Sequence, residues 1–157
     1  MVSETMERAL LFLRNHKDVA LATSEDCSVE GRLQGKSLPK LRIFQVMKQE
    51  GNVLFFATSE RKAVWQELHR NPNVELIAYE GNVSVRCSGM VNFNVEDETK
   101  RWIYEHNDVL RRLYANYDQI VYFCLPIAEI DYYDLQPTPP MLLHFDLMAG
   151  EVTSNLV

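Results

Sequence analysis

The chain has 157 residues, 46% of them hydrophobic and 24% charged, with a formal net charge of −6. That length suits one domain able to bury about two-thirds of its unfolded surface, and the composition excludes a disordered chain. The acidic balance excludes nucleic acid as the main partner, because affinity for a polyanion comes largely from clustered Lys and Arg on phosphates.

Met6, Leu10, Leu11 and Leu13 recur through SETMERALLFLRNH with charges between them, which predicts an amphipathic helix capped by Ser3 or Thr5. DVALATS predicts a strand, and the polar stretch from Glu25 to Lys40, with Gly31, Gly35 and Pro39, a surface loop or hairpin. LRIFQVMK and NVLFFAT, joined by QEGN, predict an antiparallel hairpin. The two-residue period then puts Arg42, Phe44 and Val46 on one face, and Leu54, Phe56 and Thr58 on one face of the next strand. A helix follows from about Glu60 to Arg70, with Val64, Trp65 and Leu68 on one side and Asn71-Pro72 as its stop. VELIAYEGNVSVRCSGMV predicts two paired strands around Glu80-Gly81-Asn82.

EDETKRWIYEHNDVLRRLYANY predicts a charged helical region broken near Asn107-Asp108, and QIVYFCLPIAEIDYYDL a strand interrupted at Pro126. After Gln136, Pro-Thr-Pro-Pro is expected to end regular structure, giving a main domain at 1–136 and a C-terminal tail or arm at 137–157. This local antiparallel order, with a few inserted helices, points away from a doubly wound parallel sheet and toward a small barrel or α+β sheet.

The longest apolar run, IVYFCLPIA, falls far short of the ~20 residues of a membrane helix. Glu4 and Glu7 stand where an export signal carries basic residues. Cys27, Cys87 and Cys124 form no CxxC pair and are odd in number, which argues against a disulfide framework or a zinc site. A cytoplasmic protein with no metal and no membrane partner is therefore expected. Gly35-Lys36-Ser37 ends like a phosphate-binding P-loop, but Glu30 stands where that loop needs glycine and Leu38-Pro39 where it needs a helix. No GxSxG or HExxH is present, and His16, His69, His106 and His144 have no ligand spacing, so no catalytic residue is assigned.

One stretch carries a site signal. Arg61 and Lys62 fall at the predicted helix start, where the peptide dipoles disfavour cations by roughly 0.3–1 kcal/mol each. The hydroxyls of Thr58 and Ser59 and the backbone N–H groups of the turn add donors, the ingredients of an anion site. A solvated pair of cations offset by Glu60 is the alternative.

As a whole, LRIFQVMKQEGNVLFFATSERKAVWQELHRNPNVELIAYEG resembles the pyridoxamine 5′-phosphate oxidase-like family of FMN-binding split barrels, over roughly residues 5 to 135. Arg42, Gly51, Phe56, Ala57, Thr58, Lys62, Leu68, Asn71 and Pro72 occupy the family's pattern in order, and VRCSG resembles its following strand. The resemblance implies a mainly β protein with peripheral helices (α+β), a six-stranded antiparallel split β-barrel of the FMN-binding type, and a homodimer with the flavin between protomers. It implies that Arg42, Thr58 and Lys62 hold the FMN phosphate with Arg61 and Ser59 beside them, that backbone at Ile43, Phe44 and Gln45 edges the ring, and that Phe56 and Ala57 line its side.

The activity implied is that of a flavin-dependent oxidoreductase passing electrons from NAD(P)H to a small-molecule acceptor. The alternatives are a non-catalytic flavin-binding or sensing module, or a barrel that takes haem or a deazaflavin. Two departures stand out: Ser84 lies where many short relatives carry tryptophan, and His144 in LLHFDL lacks the arginine of the Arg-x-His element that grips pyridoxamine phosphate.

Overall fold

The computed structural model describes residues 2–24 and 38–154. The turn-rich stretch 25–37, with Cys27 and Gly-Lys-Ser, lies outside the described residues. Helix α1 (Val2–Asn15) starts ahead of Ser3 and Thr5, the caps expected from the sequence. Its buried stripe runs through Ala9 and Leu13, with Met6 and Leu10 at the margin, while Leu11, expected to be buried, is 52% exposed. The stripe follows the three-and-four spacing of one helix face, which Leu11 breaks.

Strands β1 (Asp18–Ser24), β2 (Pro39–Gln45), β3 (Lys48–Glu50), β4 (Val53–Thr58), β5 (Asn73–Glu80), β6 (Val83–Met90), β7 (Val121–Pro126) and β8 (Glu129–Asp134) form the body of the molecule. Helix α2 (Ala63–Arg70) bridges β4 and β5, and α3 (Asp97–Glu105) and α4 (Asp108–Leu113) bridge β6 and β7. The β3–β4 and β5–β6 hairpins turn at Gly51 and Gly81, whose φ angles of 58° and 59° disfavour a side chain.

All pairing among the described strands is antiparallel, in one sheet ordered β8-β6-β5-β1-β2 at its core and a second ordered β3-β4-β7. β3 prolongs β2 around a bend at Val46–Met47, and β8 prolongs β7 around Pro126–Ala128. Counted as continuous strands, β2/β3, β1, β5, β6, β7/β8 and β4 make the expected six around a barrel.

Two cores explain why VLFFAT and VYFCLP read as unbroken apolar runs rather than alternating ones. Inside the barrel, Phe56 stacks on Phe123 with centroids 5.2 Å apart, and Phe44 meets both edge-on at 5.9 and 5.7 Å. Each such ring contributes about 1.5–3 kcal/mol by burial alone. On the opposite faces of β4 and β7, Phe55, Tyr122 and Cys124 pack under Ile103 of α3 and Leu110 of α4.

Gly89 closes the barrel at the bend between β7 and β8. A Cβ there would lie 2.7 Å from the carbonyl oxygen of Pro126 and 2.9 Å from Leu125 Cδ1. Loss of the N–H at Pro126 is absorbed because the bend keeps bonds on either side, Ile127 N–H to Asn52 O and Ala128 N–H to Ser88 O, both 2.9 Å.

Residues 137–154 do not end regular structure, as the proline-rich sequence suggests. Strands β9 (Met141–Asp146) and β10 (Glu151–Ser154) extend the larger sheet beyond β8. The open edge of β8 accepts MLLHFD as a partner, and Phe145 is driven fully into the barrel core.

A charged cross-strand pair fastens this addition: His144 Nδ1 lies 2.7 Å from Asp131 Oδ1, directly opposite in the ladder. The hydrogen bond to Asp131 raises the pKa of His144 above its usual 6.5. A raised folded-state value means that the pair's contribution is complete below about pH 6.5 and is lost as pH climbs through the folded pKa. His144→Gln is therefore expected to lower the melting temperature at pH 5.5 and to leave it nearly unchanged at pH 9; a deficit equal at both pH values would show that the pairing is not ionic.

Candidate functional site

The site lies where the barrel splits. Met47 N–H donates to Phe55 O at 2.8 Å, whereas Val46 N–H turns to Lys17 O at 2.7 Å. From Gln45 back to Pro39, β2 follows β1 and forms one edge of its sheet, while β4 from Phe56 to Thr58 pairs with β7 alone. One row of β2 backbone N–H and C=O groups is thus left without a strand partner, facing a gap. A cavity of about 410 Å³ occupies it, lined by Arg42, Ile43, Phe44, Gln45, Met47, Ala57, Lys62, Ala63 and Val64. That volume falls in the ~300–1,000 Å³ range of small-molecule clefts.

Six of the ten residues expected at a cofactor site therefore meet here: Arg42, Ile43, Phe44, Gln45, Ala57 and Lys62. Phe56 is a correction. Its side chain is fully buried against Phe123 and Phe44, because the strand period that turns Ala57 to the cavity turns Phe56 into the barrel.

The anion end is built at the β4-to-α2 corner. Lys62 has extended backbone (φ −88°, ψ 143°) and is the N-cap of α2, so Arg61 and Lys62 precede the helix rather than occupy its first turn. Lysine has no acceptor with which to cap, and the first turn holds no acidic residue. Ser59 organises the corner: its Oγ accepts the Arg61 N–H at 3.2 Å and its carbonyl accepts the Lys62 N–H at 3.0 Å. Among the described residues, neither the Arg61 nor the Lys62 side chain has an ion-pair partner.

Thr58, 4% exposed, has a buried Oγ1 with no hydrogen-bond partner among the described residues. Leaving a buried hydroxyl unpaired costs about 1–3 kcal/mol, and Thr58, in the inward phase of Phe56 rather than that of Ala57, is not on the cavity wall. Thr58→Val is thus expected to hold or raise the melting temperature, and a phosphorylated ligand held through this hydroxyl would bind about tenfold more weakly, measured by thermal melts and by titration. Loss of stability with unchanged affinity would show that the hydroxyl serves the fold.

Arg42 is not free in the same sense. Its Nη2 donates to Glu67 Oε2 at 3.0 Å and to Oε1 at 3.2 Å, and its Nη1 donates to Thr23 Oγ1 at 3.2 Å. Thr23 in turn donates to Glu67 Oε1 at 3.3 Å, closing a triad in which Thr23 and Glu67 are buried and Arg42 partly so. The sequence reading missed Glu67, although its place three residues after Val64, on the apolar stripe of α2, and the inward phase of Arg42 on β2 both announce a charge that needs a partner.

Asn107 was also missed. Its Oδ1 accepts the Leu110 N–H at 3.0 Å as the cap of α4, which forces its Nδ2 toward Gln45 Oε1 at 3.3 Å and Met47 Sδ at 3.1 Å. Gln45, on the cavity wall, thus has its amide oxygen engaged by Asn107.

Among the described residues no nucleophile emerges. Burial pushes the thiols of Cys87 and Cys124 upward, away from the thiolate. Among the described residues no group of His, Cys, Asp and Glu is placed to hold a metal ion, and no helix is long and apolar enough to cross a membrane.

Compared by sequence, the chain matches no family model and none of the curated proteins. Compared by structure, it is similar to a pyridoxamine 5′-phosphate oxidase-related, FMN-binding protein from Nostoc punctiforme, with a TM-score of 0.68 and 16% identity over 98% of this chain and 95% of the other. The chain has the pyridoxamine 5′-phosphate oxidase-like split-barrel fold.

Among split barrels it is also similar to PhzG from Burkholderia lata, solved with tetrahydrophenazine-1-carboxylic acid, at a TM-score of 0.69 and 14% identity over 98% of this chain and 90% of that one. A third similarity is to a heme binding protein from Mycobacterium smegmatis, at a TM-score of 0.62 and 14% identity over 96% of this chain and 57% of the other. The barrel here keeps the split between β2 and β4 open, and Lys62, which has no ion-pair partner among the described residues, stands on the wall of the cavity there.

Proposed function

We propose that this protein is an FMN-binding flavoprotein of the cytoplasm that passes electrons from NAD(P)H to a small acceptor. The observation that carries the reading is the cavity itself: Lys62, without an ion-pair partner among the described residues, stands with Arg42 and Ala57 on a wall bordered by an unpaired strand edge, and Thr58, Ser59 and Arg61 adjoin that wall along the chain. Such an edge suits a flat heteroaromatic ligand with alternating donors and acceptors, and the corner suits its phosphate. Lys62, Arg61, Thr58 and Ser59 would hold the phosphate. The Ile43–Gln45 backbone and the Gln45 amide would meet the ring edge, and the small Ala57 leaves it room. Bound FMN would supply the hydride and electron chemistry, leaving the chain to bind, orient and exclude water.

A homodimer is part of the proposal. Leu41 and Ile43 are each 71% exposed and Tyr79 75%, and Ile43, Ala20 and Ile77 form one row across β2, β1 and β5. A contiguous apolar strip beside the cavity fits a covering second copy. Ser84 stands between Tyr79 and Tyr133 in the next row, so aromatic surface flanks the position where tryptophan was expected.

The purified protein titrated with FMN is expected to quench flavin fluorescence at near one equivalent per chain, to sediment as a dimer, and to bleach the flavin bands on addition of NADH or NADPH. A Soret band in place of flavin bands would favour the haem reading suggested by the mycobacterial similarity, and flavin binding without reduction would favour a sensing module.

A further inference from the structure

We propose that Glu67 determines the specificity of the anion end: by holding Arg42 it reduces the positive charge offered there, and so limits how strongly the site prefers a phosphorylated flavin over an uncharged one. The inference rests on the flavin reading above and concerns the phosphate end alone.

Three basic residues stand at that end, Arg42 and Lys62 on the cavity wall and Arg61 beside them. Two of them are exposed and carry no ion pair among the described residues, whereas Arg42 is bound through two Glu67 oxygens and Thr23. The Arg42 and Glu67 side chains are only 28% and 11% exposed, so salt and water do little to screen the carboxylate from whatever occupies the cavity. Glu60, next to Arg61 in the chain, is exposed.

An incoming phosphate must therefore either share the guanidinium with Glu67 or draw it away. Both options set one anion beside another in a partly dry site. Thr23 makes the carboxylate hard to displace, because its hydroxyl accepts from Arg42 and donates to Glu67 at once.

The test is a charge cycle read as the ratio of Kd values for FMN and riboflavin, which share the ring and differ at the phosphate. Glu67→Gln keeps an acceptor for Thr23 and Arg42 but removes the charge. It is expected to tighten FMN about tenfold and to leave riboflavin within twofold. Arg42→Gln should weaken FMN by a similar factor, and the double variant, whose pair is neutral like the native one, should return the FMN Kd to within about threefold of wild type.

Weaker FMN binding in Glu67→Gln, or a double variant as weak as Arg42→Gln, overturns the proposal and makes Glu67 a scaffold that presents Arg42 to the phosphate. Should Glu67→Gln alone fail to fold, the double variant against Arg42→Gln still decides the question. Failure of the wild type to bind either flavin would instead remove the reading on which the proposal stands, and the proposal with it.

Discussion

Lys62→Ala and Arg42→Ala should damage the protein in opposite ways. The Lys62 side chain is exposed and has no ion pair among the described residues, so its removal costs the fold little; the melting temperature should move by less than about 2 °C. On the proposed reading the same change deletes a charge-assisted bond to a phosphate, worth about 1.5–3 kcal/mol, so FMN affinity should fall about 10- to 100-fold. Arg42→Ala leaves the Glu67 carboxylate, 11% exposed, with Thr23 as its remaining partner. Breaking one side of a buried pair costs about 3–5 kcal/mol, and partial exposure of Arg42 puts this case near the lower end. For a chain of this size that is a loss of roughly 6–12 °C in melting temperature.

Paired measurements of melting and FMN titration check both. If Lys62→Ala binds FMN as wild type does, the phosphate is not held at the β4-to-α2 corner. If Arg42→Ala melts like wild type, the triad contributes nothing to stability.

Gly89→Ala is expected to be the most damaging single methyl in the barrel. The added carbon would stand 2.7 Å from one backbone oxygen and 3.3 Å from the backbone nitrogen of Ala128, so neither neighbour is a flexible side-chain end that can swing aside. Relief requires β6 to part from the β7/β8 bend, where Ala128 N–H is bonded to Ser88 O. Overpacking of this kind costs about 1–3 kcal/mol and more where backbone must move, so a loss near 3 kcal/mol in urea unfolding is expected. An alanine variant as stable as wild type would mean that the bend can open without loss.

The contrast between these cases follows from where each group is spent. Lys62 caps nothing and pairs with nothing described, a cost to the fold without a return inside it. The orphaned Thr58 hydroxyl has the same character.

Much of this was legible in the chain. Strand and helix periods placed DVALATS, the two glycine-turned hairpins, α2 and the α3–α4 break near their observed positions, because each is set by neighbours within a few residues. Pro126 was read correctly as an interruption, and the residue pattern from Arg42 to Pro72 led to the split barrel. The corner at Thr58–Lys62 was visible for the same reason: hydroxyls and cations adjoining a helix start are a local signal.

What the sequence could not fix were pairings between distant segments. PTPP promised an end to regular structure, yet β9 and β10 follow it, because the unsatisfied edge of β8 outweighs local turn chemistry once the sheet exists. Whether Arg42 faces a ligand or a carboxylate depends on α2 crossing over β1 and β2, and Glu67 lies 25 residues away along the chain. Local order is written in spacing. The partner of a buried charge is decided only when the barrel closes and brings strand and helix within about 3 Å of each other.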